Sequence, residues 1–388
     1  MNRFFAFLSI FILFSIHNRS FSQDLRMGAD RIDSLLAYTK DKKAALIINQ
    51  TSVLSDGTHI LDTLLARNVH IEKIFAPEHG IRGNADAGEK IVDGKDSKTG
   101  IPIVSLYGKN YKPTAQQLDS VDILIFDIQD VGTRFYTYIS TMHYAMEACA
   151  ENGKQFIVLD RPNPNDYIDG PILDIKYRSF VGIPPIPVVH GLTVGELATM
   201  INGECWLKDS LACNLKVIPM EGWVHGQEYE LPIKPSPNLP NQQAIKLYPS
   251  LCFFEATGIS VGRGTDFPFQ VIGAPGKRYG KFTFTPRPVI GAKNPLNKNR
   301  LCHGIDLREA ETEKKINLDY LISFYKKSGK GAAFFTNRRF MDLLSGTDKL
   351  RRQIINGLAA EQIRESWEED LTNYKTMREK YLLYPIDE

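Results

Sequence analysis

The sequence lacks both of the glycine-rich patterns that most often bind phosphate-bearing cofactors. No G-x-G-x-x-G segment follows an early apolar run, and no G-x-x-x-x-G-K-[ST] segment occurs. These patterns carry backbone N–H groups to a pyrophosphate or a triphosphate, so their absence argues against a dinucleotide or nucleotide cofactor. We therefore expect a protein that functions without a cofactor.

Cysteine is scarce, and its spacing argues against a metal cluster. The chain has five cysteines, and none of them forms a Cys-x-x-Cys pair. Because structural zinc sites usually use such pairs, no metal site is predicted. An oxidising compartment would permit a disulfide between Cys205 and Cys213, although burial in the core is the more common role of scattered cysteines.

Positive and negative charges are nearly balanced in the chain. The chain carries 47 Lys and Arg against 45 Asp and Glu, a formal net charge of +2. Removal of an N-terminal leader that contains Arg3 and Arg19 would bring this charge to 0. Binding to a nucleic-acid backbone requires a concentration of positive charge, so nucleic acid is not an expected partner.

The N-terminus has the features of a secretory signal peptide. A charged start ending at Arg3 precedes an apolar block over residues 4–16, and Ser20-Phe21-Ser22 supplies a small-x-small cleavage pattern. The block is short for a bilayer span, and no second long apolar segment follows. We predict a signal peptide over residues 1–22 and an exported product, periplasmic or secreted, without stable membrane insertion after cleavage. An uncleaved interfacial helix is the alternative.

Apolar runs and helical patterns alternate through the first half of the mature chain. Such alternation is typical of a doubly wound parallel sheet with right-handed crossovers. Beyond about residue 205, short strands and Pro- and Gly-rich turns precede a helical end. We predict an α/β protein with a Rossmann-like N-terminal domain over residues 23–210, which carries most of the site, and a smaller α+β domain over residues 211–388, which closes the cleft. Predicted strands cover residues 44–48, 69–75, 103–106, 121–128 and 155–159, and predicted helices include residues 31–39, 59–67, 142–152, 193–202, 318–327, 338–344 and 359–380.

Polar residues follow four of these predicted strands. They occupy residues 49–52, 78–83, 127–136 and 160–163. The carboxyl ends of parallel strands meet at one edge of a sheet, so we expect these segments to lie together. Open α/β sheets bind their ligands beyond that edge, which predicts a functional site there.

The loop after the second strand carries an acid, an imidazole and a guanidinium. These groups belong to Glu78, His79 and Arg82. A buried glutamate has the chemistry of a general acid, with His79 or Arg82 orienting it or binding substrate. A purely structural ion pair between Glu78 and Arg82 is an equally consistent interpretation.

The segment after the fourth strand offers further carboxylates. Asp127 or Asp130 suits the second carboxylate of a glycosidase, and together with Gln129 they suit a divalent metal site. Alternation along an extended chain directs Asp127 and Gln129 to one side and Asp130 to the other, so one carboxylate is expected to be structural. Arg134 and Tyr136 suit an anion and a sugar-like face, with half-buried packing as the alternative for the tyrosine.

A polar loop in the second half is a further candidate. Arg263 is expected to face substrate or to form a buried pair with Asp266. The Gly258-Ile-Ser260-Val-Gly262 segment matches the nucleophile pattern of esterases. That pattern requires a helix directly after the serine, and residues 263–268 are unsuited to begin one. An esterase is therefore not favoured.

Seven segments follow one another along the mature chain: Asn49-Gln-Thr-Ser52, Phe75-Ala-Pro-Glu-His-Gly-Ile-Arg-Gly83, Ser105-Leu-Tyr-Gly108, Phe126-Asp-Ile-Gln-Asp-Val-Gly-Thr-Arg-Phe-Tyr136, Leu159-Asp-Arg-Pro-Asn-Pro164, Pro235-Ser-Pro-Asn238 and Gly262-Arg-Gly-Thr265. Together they resemble a family first catalogued as a domain of unknown function and now represented by bacterial exo-β-N-acetylmuramidases. The resemblance covers essentially the whole mature chain. It implies a Rossmann-like domain joined to a smaller C-terminal domain, with the site in the cleft between them.

The resemblance also implies an activity. It points to hydrolysis of the β-1,4 bond that releases N-acetylmuramic acid (MurNAc) from the non-reducing end of peptidoglycan-derived saccharides such as MurNAc-GlcNAc, in which GlcNAc is N-acetylglucosamine. Export to the periplasm suits that substrate. Glu78 is implied as the general acid. The lactyl carboxylate of MurNAc calls for an arginine, and Arg82, Arg134 and Arg263 are the candidates.

The second catalytic group stays open between Asp127, Asp130, Glu255 and the N-acetyl group of the substrate, so retention and inversion are not distinguished. One segment departs from the family pattern. Residues 255–258 read Glu-Ala-Thr-Gly where Glu-Gly-Thr-Asn is expected, so an amide side chain is absent. The residues expected to bind substrate are Asn49, His79, Arg82, Gln129, Arg134, Tyr136, Asn163, Asn238, Glu255 and Arg263.

Two other classes of function stay open. A non-catalytic protein of the cell envelope would hold muropeptides in the same cleft without cleaving them. A metal-dependent hydrolase would use Asp127, Asp130 and His79. The exo-muramidase is the leading hypothesis, because the ordered segments and the signal peptide both favour it.

Overall fold

A computed structural model describes residues 25–82, 89, 93–108 and 110–386. The predicted signal peptide, residues 1–22, lies outside the described residues. None of the helices in the described part of the chain combines the length and apolar character that a bilayer span requires.

The N-terminal part of the chain is built on one seven-stranded sheet. The described strands are β1 (Lys43–Ile48), β2 (His70–Ala76), β3 (Gly94–Lys95), β4 (Pro102–Ser105), β5 (Ile123–Asp127), β6 (Gln155–Leu159), β7 (Ile168–Asp169), β8 (Val189–His190), β9 (Asn214–Ile218), β10 (Val271–Ala274), β11 (Phe282–Phe284) and β12 (Cys302–Asp306). The sheet has the order β3-β4-β2-β1-β5-β6-β9. Strand β3 pairs antiparallel with β4, and all other neighbours in this sheet are parallel. The predicted Rossmann-like α/β fold is confirmed.

Helices cover both faces of this sheet. The described α-helices are α1 (Ile32–Thr39), α2 (Ile60–Ala66), α3 (Ala115–Leu118), α4 (Tyr138–Glu151), α5 (Val194–Gly203), α6 (Gln242–Leu251), α7 (Asp319–Ser328), α8 (Arg338–Ser345), α9 (Lys349–Ile355), α10 (Ala360–Glu365) and α11 (Glu368–Glu379). Helices α1 and α2 pack against the face that presents Ile125, and α4 and α5 pack against the face that presents Phe126. Because successive strand residues point to opposite faces, a strand covered on both sides is apolar throughout, as β5 is.

The sequence marks the start of α5. The N–H of Glu196 donates to the Thr193 hydroxyl at 3.2 Å, and the N–H of Thr193 donates to the Glu196 carboxylate at 2.9 Å. This reciprocal pair satisfies two N–H groups that would otherwise lack partners at the helix end. The helix therefore begins where the Thr-x-x-Glu pattern predicts.

The later part of the chain contains a smaller sheet and more helices than the N-terminal part. Strands β10, β11 and β12 form a three-stranded antiparallel sheet, beside helices α6 to α11. The single helix predicted over residues 359–380 is divided into α10 and α11. Trp367 lies at the division, where its backbone leaves the helical region (φ −124°, ψ 3°), and its side chain is buried in the core.

The large sheet continues past residue 210, where the sequence predicted a domain boundary. Strand β9 pairs with β6 from Gln155–Asn214 to Leu159–Ile218. The short strands β7 and β8 pair separately and antiparallel. Strand β9 thus joins residues 214–218 to the N-terminal sheet.

The C-terminal end of the chain packs back onto this sheet. The N–H of Leu383 donates to Glu196 at 2.8 Å, and the Tyr384 hydroxyl donates to Asp160 at 2.6 Å. Burial and the charge of Glu196 raise the pKa of Asp160 to about 6. These contacts tie the end of the chain to the carboxyl edge of the parallel sheet.

His225 is buried between two carboxylates in the same region. Its Nδ1 lies 3.0 Å from Asp166 Oδ2, and its Nε2 lies 2.9 Å from Glu196 Oε1. The Arg378 guanidinium also faces the ring, 3.3 Å from Nδ1. Burial opposes the charged imidazole, but the bonds to Asp166 and Glu196 outweigh it and raise the pKa of His225 to about 9.

The raised pKa of His225 predicts a loss of stability at alkaline pH. In the folded protein the pKa of His225 is about 9, which exceeds the value of about 6.5 in the unfolded chain. Protonated His225 therefore contributes its full stabilisation when the pH is below about 6.5. That contribution is lost as the pH rises through the folded value. We expect the thermal midpoint to fall over this range, and His225→Gln to weaken the dependence. His70→Gln, at an exposed position, is the control. A wild-type midpoint that stays constant over the range would contradict the prediction.

Candidate active site

A cavity of about 540 Å³ opens at the carboxyl edge of the parallel sheet. Residues 78–79 follow β2 and residues 135–138 follow β5, so the ends of two parallel strands bring both segments to the cavity. Asn238, Glu255 and Arg263 line it from the later part of the chain. The cavity therefore combines groups from both halves of the sequence.

Glu78 stands on a sharp turn directly after β2. His79 and Gly80 both adopt left-handed backbone conformations, with φ of 68° and 72°. The Thr137 hydroxyl donates to Glu78 Oε2 at 2.6 Å, and the Tyr107 hydroxyl also hydrogen bonds with the Glu78 carboxylate. Burial and the charge of Glu78 raise the pKa of Tyr107, so this hydroxyl keeps its proton. Two hydroxyl groups thus orient the Glu78 side chain in the cavity wall.

Three buried tyrosines form the adjoining wall. The Tyr138 hydroxyl donates to the carbonyl of Glu78 at 3.3 Å, and the Tyr136 hydroxyl donates to the carbonyl of Pro235 at 2.9 Å. The Tyr136 ring lies 4.9 Å from that of Tyr138 and 6.1 Å from that of Tyr248. Burial raises the pKa of all three phenols, which therefore remain neutral.

An ion pair supplies the charged groups from the later part of the chain. Arg263 Nε lies 2.6 Å from Glu255 Oε1, and its guanidinium carbon lies 5.0 Å from the centre of the Phe269 ring. Burial opposes the charge, but Glu255 raises the pKa of Arg263, so the guanidinium stays protonated. The cavity therefore holds a fixed positive charge as well as the carboxyl group of Glu78.

Comparison with known proteins identifies the family. A family model described as the N-terminal part of the exo-beta-N-acetylmuramidase NamZ matches residues 44–243, and its C-terminal counterpart matches residues 246–384. This chain belongs to the exo-β-N-acetylmuramidase NamZ family. The family predicted from the ordered sequence segments is confirmed, and the chain is accordingly assigned to the glycoside hydrolases.

Known relatives match most of the chain. The peptidoglycan beta-N-acetylmuramidase NamZ of Bacillus subtilis (strain 168) is 40% identical over 385 residues, which cover 91% of this chain and 90% of that protein. A crystal structure of a DUF1343 family protein from Bacteroides fragilis NCTC 9343 is 48% identical, with a TM-score of 0.87, and the match covers 94% of this chain and 100% of that one. A second DUF1343 structure from the same organism is 31% identical, with a TM-score of 0.80, and the match covers 93% and 99% of the two chains.

The predicted site residues divide into two groups. Those that line the cavity of this NamZ-family chain are Glu78, His79, Tyr136, Asn238, Glu255 and Arg263. The remaining predicted residues are used within the fold and lie outside the cavity lining: Asn49, Arg82, Asp127, Gln129, Asp130, Arg134 and Asn163.

Asp127 is fully buried and bound by an arginine. Arg161 donates from Nε to Asp127 Oδ1 at 2.6 Å and from Nη2 to Oδ2 at 2.9 Å. The Ser52 hydroxyl donates to the carbonyl of Asp127. The carboxylate predicted as catalytic is therefore held by a partner inside the fold and lies outside the cavity lining.

Asp130 and Gln129 shape the loop after β5. The N–H of Gly132 donates to Asp130 Oδ2 at 2.7 Å, and His190 Nε2 lies 3.7 Å from the same oxygen. The Gln129 amide donates to the carbonyls of Asp130 and Pro162, at 2.9 and 2.7 Å. Asp130 Oδ1 has no hydrogen-bond partner among the described residues. Both side chains are buried away from the cavity.

Arg134 binds backbone carbonyls rather than an anion. Its Nη1 donates to Pro171 at 2.9 Å and to Ile186 at 2.6 Å, and its Nη2 donates to Leu344 at 3.1 Å. The side chain is fully buried. Arg134 thus holds a loop of the N-terminal part against helix α8.

The other three predicted residues outside the lining also have partners in the fold. Arg82 pairs with Asp96 at 2.8 Å, and 60% of its side chain is exposed. This pair, rather than one with Glu78, is the ion pair that Arg82 forms. The Asn163 amide donates to the carbonyl of Leu192 at 3.0 Å. The Asn49 side-chain oxygen accepts a hydrogen bond from the backbone N–H of residue 51 at 2.8 Å, which closes the turn after β1.

Most residues of the cavity wall were not predicted from the sequence, among them Tyr107, Thr137, Phe180 and Tyr248. Thr137 lies between two tyrosines of the segment after β5, and Tyr107 lies in the Ser-Leu-Tyr-Gly segment of the family, so each stood in a recognisable motif. Phe180 and Tyr248 lie outside the quoted motifs. They reach the cavity through packing of distant segments.

The residues considered for a metal site are not brought together. Among the described residues, no group of three or more His, Cys, Asp or Glu side chains could hold a metal ion. His79 lines the cavity, whereas Asp127 is bound by Arg161 and Asp130 lies in the buried loop after β5. These three side chains therefore do not form one ligand set.

We predict that replacing Asp127 lowers the stability of the fold and leaves turnover nearly unchanged. Asp127→Asn leaves the buried Arg161 charge without its carboxylate, which we expect to lower the free energy of unfolding by about 3 kcal/mol or more. Denaturant unfolding measures this loss, and turnover below the unfolding midpoint should change by less than about threefold. Asp33→Asn, at an exposed position, is the control. Unchanged stability with lost turnover would restore Asp127 as a catalytic candidate.

Proposed function

We propose that this chain hydrolyses the β-1,4 bond of peptidoglycan-derived MurNAc-GlcNAc saccharides and releases MurNAc from their non-reducing ends. Family membership supports the reaction class. The cavity of about 540 Å³ has the size of a small-molecule site and supports a short saccharide as the ligand. The observation that carries the residue assignment is the position of Glu78 in the cavity wall.

Glu78 is proposed as the general acid. It gives its proton to the glycosidic oxygen while the bond from that oxygen to C1 of MurNAc breaks. GlcNAc leaves with this proton on its O4 hydroxyl. Water supplies the hydroxyl group that joins C1, and the proton that this water releases restores the acid form of Glu78. Thr137 and Tyr107 keep the carboxyl group in one orientation, which proton transfer over a short distance requires.

Arg263 is proposed to bind the lactyl carboxylate of MurNAc. Of the three arginines considered from the sequence, it alone lines the cavity, since Arg82 pairs with Asp96 and Arg134 binds carbonyls. Its contact with Glu255 uses Nε, so the two Nη groups are those that would bind a substrate carboxylate. Glu255 holds the guanidinium in place.

Removing the acidic proton of Glu78 is the main test. Glu78→Gln should lower kcat for a nitrophenyl β-N-acetylmuraminide or for MurNAc-GlcNAc by about a hundredfold or more, because an amide does not act as a general acid. Glu228→Gln, at an exposed ion pair outside the cavity, is the matched control. Near-native turnover by Glu78→Gln would refute the role. Saturable binding without any product from the wild type would instead indicate a muropeptide-binding protein.

Replacing Arg263 tests recognition of the lactyl group. Arg263→Met should lower kcat/KM for the muramic acid substrate by about ten- to a hundredfold, since a hydrogen bond to a charged group is lost. The matching N-acetylglucosaminide has no lactyl carboxylate, so its slow hydrolysis should change little. An equal loss on both substrates would assign Arg263 a structural role. Circular dichroism checks that the variant is folded.

We also propose that the chain is exported to the periplasm, where peptidoglycan fragments occur. The apolar N-terminal block and the small-x-small pattern ending at Ser22 support this proposal. Fractionation of cells that express the full chain should recover it outside the cytoplasm, with a mature N-terminus at residue 23 by mass spectrometry. Deleting residues 2–22 should retain it in the cytoplasm. Recovery of the intact N-terminus in the cytoplasm would contradict export.

A further inference from the structure

Three half-buried aromatic side chains form one cluster in the cavity wall, which we call the aromatic platform: Tyr107, Tyr111 and Phe180. The Tyr111 and Phe180 ring centres are 4.2 Å apart. Tyr107 lies 5.6 Å from Tyr111 and 5.7 Å from Phe180. The tyrosines of the adjoining wall are buried, whereas the platform is partly exposed. The three rings are inclined to one another, at 36° to 88°, and together offer a partly exposed aromatic surface to a ligand.

Contacts along the cavity wall connect the platform, Glu78 and Arg263. On one side, the Tyr107 hydroxyl hydrogen bonds with the Glu78 carboxylate. On the other side, the Tyr138 hydroxyl binds the Glu78 carbonyl. From there to Arg263, ring contacts run through Tyr138, Tyr136, Tyr248 and Phe269. Glu78 therefore adjoins the aromatic platform through Tyr107 and the buried tyrosine wall through Tyr138.

The fold holds Phe180 in position. Its turn is closed by two hydrogen bonds between the backbones of Ser179 and Gly182, at 2.9 and 3.0 Å. Arg134 packs beneath Gly182, where an added Cβ would lie 3.3 Å from its Cδ. The Tyr144 and Phe180 rings are nearly parallel, with an interplanar angle of 7°, and their centres are 6.5 Å apart. A ring fixed in this way binds a ligand with little further loss of side-chain entropy.

We propose that the aromatic platform binds the sugar on the leaving-group side of the cleaved bond. The inference rests on the proposed function of Glu78 as general acid and of Arg263 as the ligand of the lactyl carboxylate. A general acid protonates the oxygen that departs with the leaving sugar, so that sugar lies beside Glu78 and away from the lactyl group. The contact between Tyr107 and the Glu78 carboxylate favours the platform for this side. The negative face of an aromatic ring attracts the C–H groups on one face of a pyranose.

The test compares a substrate that has a second sugar with one that lacks it. MurNAc-GlcNAc places a pyranose on the platform, whereas methyl β-N-acetylmuraminide does not. Phe180→Ala should lower kcat/KM for the disaccharide by about two- to tenfold, mainly through KM, and leave the methyl glycoside within about twofold. Tyr111→Ala in addition should deepen the selective loss. Phe180→Trp, which keeps a flat ring, should retain activity on the disaccharide.

Controls separate this inference from the proposed function. Ile175→Ala removes an apolar side chain that is 64% exposed on the same loop but outside the cavity, and it should affect neither substrate. If Phe180→Ala does not fold, Phe180→Leu keeps apolar volume without a flat ring and allows the same comparison. An equal loss on both substrates, or no loss on either, would overturn the platform while leaving Glu78 unaffected. A wild type inactive on both would overturn the proposed function and, with it, the subsite.

Discussion

Polar side chains at the carboxyl edge of the parallel sheet have to find partners inside the protein, because the strands before them are buried on both faces. An unpaired charge there would cost several kcal/mol. Asp127 meets this requirement with Arg161, through two hydrogen bonds. Asp160 meets it with hydroxyl groups of Thr193 and Tyr384 and with a backbone N–H. Most polar groups that cluster at this edge therefore maintain the fold.

The same requirement joins the two parts of the chain around the cavity. Arg134 binds the carbonyl of Leu344 in α8, and Tyr136 binds the carbonyl of Pro235. The amide of Gln50 also donates to Pro235, at 3.0 Å. Each bond satisfies a buried polar atom on one side with a backbone carbonyl on the other. The cavity walls are consequently held by bonds that also stabilise the contact between the two parts.

Once these partners are assigned, few charged groups line the cavity in the described part of the chain. Glu78 lies beside two hydroxyl groups, and Arg263 is held by Glu255. Tyrosines separate these two positions and remain neutral because burial raises the pKa of their phenols. The arrangement suits a substrate with an anionic group at one end and a bond to be protonated near Glu78. The aromatic platform continues the cavity wall next to Glu78, through the hydrogen bond of Tyr107.

The sequence by itself determined the parallel sheet, the strand ends that meet at one edge, the family and the general position of Glu78. Those features depend on local patterns, since a strand covered on both faces must be apolar and a buried strand end must lead into a loop. Only the tertiary structure decided which polar side chains face the cavity. Arg134 and Arg263 both belong to segments that carry the family resemblance, yet one binds carbonyls and the other lines the site. The aromatic platform likewise depends on packing between distant segments, which local residue patterns do not encode.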